Sequence, residues 1–88
     1  MKLTEKELNK KLPDNWRIID NQLERLFKFE DFQQALDFVN KVGALAEKAD
    51  HHPDIIINYN KVTLKLSTHS ESGITEKDIK LANQINKL

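Results

Sequence analysis

Residues 31 to about 49 constrain the fold more than any other stretch. Phe32, Ala35, Leu36, Val39, Val42, Gly43, Ala46 and Ala49 recur there at helical spacing. A long helix with one apolar stripe needs a surface to lie on. Phe38 and Leu45 widen the stripe to roughly half the circumference. That width fits either a broad core face or a flank packed on a partner subunit. Asp31 suits the positive end of the helix dipole.

The flanking patterns supply the surface. Residues 4–12 read as a short helix, with Thr4 and Glu7 at capping-box spacing and Leu3 and Leu8 at staple positions. Leu12-Pro13-Asp14 ends it, because a residue before proline is pushed out of the helical region. Trp16 to Asp20 and Leu23 to Phe29 read as two strands joined at Asp20-Asn21-Gln22. Ile55 to Tyr59 and Val62 to Thr68 read as a hairpin turning at Asn58-Tyr59-Asn60-Lys61. Val62, Leu64 and Leu66 alternate with Thr63, Lys65 and Ser67, so one face is apolar and the other polar. His69-Ser70-Glu71-Ser72-Gly73 is a loop. Thr75 starts a last helix to about Asn86, with Asp78 at capping-box spacing and Ile74 and Ile79 as a second staple. The order α-β-β-α-β-β-α predicts an α+β fold: a four-stranded antiparallel sheet with three helices packed on one face.

The chain has 88 residues, enough for one domain spanning 1–88. Lys plus Arg and Asp plus Glu number 14 each, so the formal charge is zero and there is no basic footprint for nucleic acid. There is no cysteine, which excludes disulfides, thiol nucleophiles and thiolate metal sites. The longest purely aliphatic run, Ile55-Ile56-Ile57, is far too short to span a bilayer, and Met1 to Lys6 carries no apolar core of a signal peptide. The expected location is the cytoplasm, away from membranes.

All three histidines cluster around one hairpin. His51-His52-Pro53 follows the long helix, and His69 follows the hairpin's second strand. Imidazole, with an ordinary pKa of about 6.5, gives or takes protons near neutrality. His51 alone is explained by the dipole of the helix it follows. Pro53 holds His52 extended, so adjacent side chains point apart unless the chain turns between them. With Glu47 or Asp50 the cluster has zinc-type donors, but no His-x-His or His-x-x-x-His spacing, so no metal is expected. Ser67, Ser70 and Ser72 lie nearby without a nucleophile-elbow pattern. General acid–base work on a bound small molecule, without a cofactor, remains.

The spacing here resembles the pterin-4a-carbinolamine dehydratase family, also known as the dimerisation cofactor of a homeodomain transcription factor. Glu47, three residues, His51-His52-Pro53, five residues, Tyr59, nine residues, His69, eight residues and Asp78 reproduce its signature. Ala46-Glu47-Lys48, Tyr59-Asn60-Lys61-Val62, Leu66-Ser67-Thr68-His69, Trp16, Phe27-Lys28-Phe29 and Asp31-Phe32 extend the likeness over nearly everything after residue 12. Asp54-Ile55-Ile56-Ile57 departs from the more aromatic start of this strand in animal members.

The resemblance implies dehydration of a 4a-hydroxy-tetrahydropterin to the quinonoid dihydropterin, which recycles the cofactor of aromatic amino-acid hydroxylases. It implies His51, His52 and His69 as catalytic residues. Asp50, Ser67, Thr68 and Ser70 would supply hydrogen bonds to the pterin, with Glu47, Trp16 and Asp78 close by. It also implies a homodimer joined edge to edge or a homotetramer paired through the long helices, and a functional link to a hydroxylase. Which imidazole is acid and which is base is open. Asp78 serves equally as a helix cap, and Trp16 as core. Two rival functions stand beside this one: a non-catalytic interaction module or transcriptional cofactor, and action on another pterin, as in molybdopterin metabolism.

Overall fold

The computed structural model describes residues 1–88. Helix α1 spans Glu5–Lys11, strands β1 and β2 span Arg17–Ile19 and Gln22–Lys28, and helix α2 spans Phe32–Ala49. Strands β3 and β4 span Asp54–Asn58 and Lys61–Leu66, a 3-10 turn covers His69–Glu71, and helix α3 spans Glu76–Asn86. The sheet is antiparallel throughout, in the order β1-β2-β4-β3. The fold is therefore the α+β architecture expected from the order of periodicities, with element ends shifted by a residue or two.

The central β2–β4 pair builds the floor. Leu23 faces Leu66, Arg25 faces Leu64 and Phe27 faces Val62. Leu23, Val62, Leu64 and Leu66 are buried, and Ala35 and Val42 of α2 and Ile79, Leu81, Ala82 and Ile85 of α3 close over them in one cluster. Burying a side chain of that size contributes about 1.5–3 kcal/mol. On the opposite face Leu26, Thr63 and Ile56 fall in register, and Leu26 and Ile56 stay exposed.

The turns follow their residues. Asp20 and Asn21 both adopt positive φ, 51° and 62°, as a two-residue hairpin with a right-handed twist requires. At the other hairpin Tyr59 takes φ 51° and stays exposed, while Asn60 ties the turn to Phe29 through its amide and its carbonyl. Tyr59 therefore shapes a turn at the end of β3, away from the strand start that follows His52.

Phe38 shows how the wide stripe of α2 meets its own sheet. Its ring lies 4.6 Å from that of Phe27 and 5.0 Å from that of Phe29. Both it and Leu45 pack against the core cluster, so within one chain the breadth of α2 serves as core face.

Candidate active site

Three element ends meet around Asp78. The first is the end of α2. Asp50 adopts the left-handed conformation (φ 50°, ψ 43°) and its N–H reaches the carbonyls of Ala46 and Glu47, while the His51 N–H reaches Ala46. Aspartate tolerates this conformation better than most non-glycine residues. The turn sends the two adjacent imidazoles in different directions. His51 turns inward to Asp78, its Nε2 2.5 Å from Oδ1. His52 turns back along α2, its Nε2 2.6 Å from Glu47 Oε2.

The second element end is the exit of β4. Thr68 and Gly73 pair as an isolated bridge, closing a tight loop that carries His69, Ser70, Glu71 and Ser72. Thr68 is buried, Ser67 is half-buried, and His69 and Ser70 at the tip are exposed. The third is the α3 N-terminus, where Thr75 and Asp78 form a capping box.

Asp78 joins all three. Its side chain is fully buried. Oδ2 accepts from the Thr75 N–H (2.9 Å) and the Thr68 hydroxyl (2.9 Å), and Oδ1 lies against His51. Thr68 and Thr75 hydroxyls are 2.8 Å apart. A hydroxyl has one proton. Thr68 gives its own to Asp78, so Thr75 donates to Thr68, and the chain runs Thr75 to Thr68 to Asp78. An ionised carboxylate only accepts, so His51 presents an Nε2–H to it and keeps Nδ1 free. No buried side-chain polar atom is left without a partner.

The two histidine–carboxylate pairs differ in setting. His51 and Asp78 side chains are 12% and 0% exposed, against 56% and 78% for His52 and Glu47. The first pair fixes an imidazole in a dry environment, and the second is a solvated surface contact worth at most about 1 kcal/mol.

The expected site residues separate into groups. His51, Thr68 and Asp78 are in direct contact. Asp50, His52 and Glu47 surround the α2 end, and Ser67, His69 and Ser70 surround the β4 exit. Trp16 lies elsewhere. It is buried, edge-on to Phe27 with centroids 6.2 Å apart, and its indole N–H donates to Asn86 Oδ1 at 2.8 Å. The Arg25 guanidinium donates to the same oxygen at 2.6 Å and stacks 4.2 Å over Phe27. Asn86 closes α3 and Asp78 opens it, eight residues or about 12 Å of helix apart. Trp16 thus anchors the far end of α3. Thr75, whose spacing to Asp78 predicts only a cap, is the added member of the network. Its signal was the capping box, whose partner Asp78 proved to be shared.

Two clefts flank the buried carboxylate. One of about 470 Å³ is lined by Thr68, Ser70, Thr75 and residues of the N-terminal segment. The other, about 410 Å³, lies between α2 and α3 and includes His51. No grouping of three or more His, Asp or Glu side chains is arranged to hold a metal ion.

Fold and site define a small α+β domain in which a buried carboxylate ties two histidine-bearing segments together at one helix end. Comparison with known proteins gives that class its family. A family model for pterin 4 alpha carbinolamine dehydratase matches residues 1–88, and the chain belongs to that family. A relative from Sulfolobus acidocaldarius, provisionally named pterin-4-alpha-carbinolamine dehydratase, is 47% identical and covers 100% of this chain and 99% of its own. The crystal structure of a transcriptional coactivator/pterin dehydratase from Brucella melitensis superposes with a TM-score of 0.94 at 44% identity, over 99% of this chain and 97% of the other. A pterin dehydratase-like protein that is a RuBisCO assembly factor in the alpha-carboxysome reaches a TM-score of 0.67 at 20% identity, over 82% and 83% of the two chains. That last likeness is one of fold alone. No helix is long and apolar enough to cross a membrane.

Proposed function

We propose that this chain dehydrates a 4a-hydroxy-tetrahydropterin to the quinonoid dihydropterin by histidine acid–base catalysis, recycling the cofactor of an aromatic amino-acid hydroxylase. The observation that carries the reading is the double attachment of Asp78, to His51 on one segment and to Thr68, the neighbour of His69, on the other. In the reaction the C4a–O bond breaks and the hydroxyl leaves as water with one added proton. A ring nitrogen loses a proton as the C4a–N double bond forms. His51, with Nε2–H directed to Asp78, has Nδ1 free to take that ring proton. His52 and His69, both exposed, are the candidates to protonate the leaving hydroxyl. Such proton transfers each contribute about 10²–10⁴-fold. Asp50, Ser67 and Ser70 would bind the pterin. Thr68 and Asp78 would hold His51 and the loop in place, and Glu47 would orient His52.

We further propose a cytoplasmic homo-oligomer. Supporting self-association, β3 is an edge strand with Ile55 and Ile56 exposed, a surface suited to pairing with a second sheet.

The test is the dehydration rate of a synthetic 4a-hydroxy-tetrahydropterin, with His51→Ala, His52→Ala and His69→Ala beside the native chain. The native protein should outpace buffer and each variant should lose most of that gain. A native rate equal to buffer sinks the reading.

A further inference from the structure

The cleft between α2 and α3 has a charge pattern that dehydration of a neutral pterin does not require. Lys48 from the last turn of α2 and Lys77 and Lys80 from the first turns of α3 line it, together with His51. No carboxylate lines it. None of the three lysines is ion-paired. The chain as a whole is neutral, and the one carboxylate touching the lining, Asp78, is buried behind His51, so the three lysines leave the cleft with a local positive excess. Lys77 and Lys80 are three residues apart and neighbours on the helix surface, where like charges repel. The floor between the lysines is apolar, built from Leu45, Ala49 and Leu81. A ligand that suits both halves of this lining lays the face of a flat ring on the apolar residues and carries an anionic substituent.

We infer that the preferred substrate is an anionic pterin, one whose side chain ends in a phosphate or carboxylate. The ring would reach toward His51 and the anion would sit among Lys48, Lys77 and Lys80. This deepens the dehydratase reading and rests on it for the identity of the ring. The charge selectivity itself is a binding property and is measured without turnover. Exposed charge contacts are individually weak and screened by salt, so three together should give about tenfold, most of it at low ionic strength.

The experiment is calorimetric titration of the native chain with three unreactive probes: 6-hydroxymethylpterin, its phosphate ester and pterin-6-carboxylate. At least one anionic probe should bind about tenfold more tightly than the neutral one. The stronger of the two identifies the anion. The preference should collapse in the K48Q/K77Q/K80Q variant, and in the native chain it should shrink as salt rises from 50 to 500 mM. Equal affinities, no measurable binding of either anionic probe, or a preference that survives both the variant and the salt overturn the inference. The dehydration assay with a neutral substrate reports separately on the dehydratase reading, so the two can fail independently.

Discussion

The molecule contains the same capping motif twice, in two settings. At α1, Thr4 N–H donates to Glu7 Oε1 at 3.0 Å and the Thr4 hydroxyl accepts from the Glu7 N–H at 3.2 Å. Both residues are exposed, and within the box they serve each other. At α3 the box is Thr75 and Asp78, and both are buried. One oxygen of Asp78 completes the cap and takes the Thr68 hydroxyl, and the other takes His51. The local chemistry is alike, and the surroundings decide the reach. A helix start facing water leaves its carboxylate a local job. A helix start wedged between the ends of α2 and β4 makes its carboxylate the link between two other segments.

The largest predicted effect breaks that contrast directly. Asp78→Ala strands three donors, the Thr68 hydroxyl, the Thr75 N–H and the His51 ring, in a dry environment. Leaving one buried donor unsatisfied costs about 1–3 kcal/mol, so three together should cost at least about 3 kcal/mol. Urea unfolding should record that loss at an unchanged m-value, while Glu7→Ala shifts the midpoint only slightly. Equal shifts for the two variants would mean that burial does not distinguish the boxes.

The next effect separates the two histidines. His51→Ala leaves Asp78 Oδ1 without a partner and should cost about 2 kcal/mol, the scale of a hydrogen bond to a charged group. His52→Ala gives up a solvated contact and should cost no more than about 1 kcal/mol. On the proposed mechanism both lower the dehydration rate, so rate alone does not tell them apart and stability does. A His52→Ala loss as large as that of His51→Ala would contradict the exposures of the two pairs.

These contrasts mark how far the sequence could be read. Element order, the antiparallel sheet and both capping boxes followed from periodicity and spacing, because such patterns are local and each residue's part is set by near neighbours. The signature spacing from Glu47 to Asp78 identified the family. The direction of each imidazole was not legible, since it depends on the left-handed turn at Asp50, a residue with no glycine-like signal. Trp16 was legible as apolar and aromatic, but its hydrogen bond to Asn86 spans 70 residues and nothing near either residue announces it. The breadth of α2 fitted two surfaces, with a broad core face favoured. The part of that breadth used as core came from Phe27 and Phe29, which reach Phe38 only once the sheet is assembled. Burial of Asp78, the property on which the candidate site turns, is likewise a sum over three distant segments.

The smallest effect tests the exposed box by acid. The Thr4 N–H, then the Thr4 hydroxyl and more weakly the Lys11 ammonium hold the Glu7 carboxyl below the usual carboxylate range. A group whose value is lowered by folding contributes stability above its unfolded value and loses it as pH falls through the folded one. The cap of α1 should therefore stay intact through the ordinary carboxylate range and release only below it. The Thr4 amide proton is a direct reporter, since it donates to Glu7 Oε1. Its chemical shift should titrate below the range of a glutamate in an unstructured peptide, and Glu7→Gln should abolish that step. Because Glu7 serves only its own helix, its protonation should fray α1 while the signals of Val62, Leu64 and Leu66 in the sheet hold still. A Thr4 titration in the ordinary range, or one shared by the sheet, would show that the exposed box is not the local device its geometry describes.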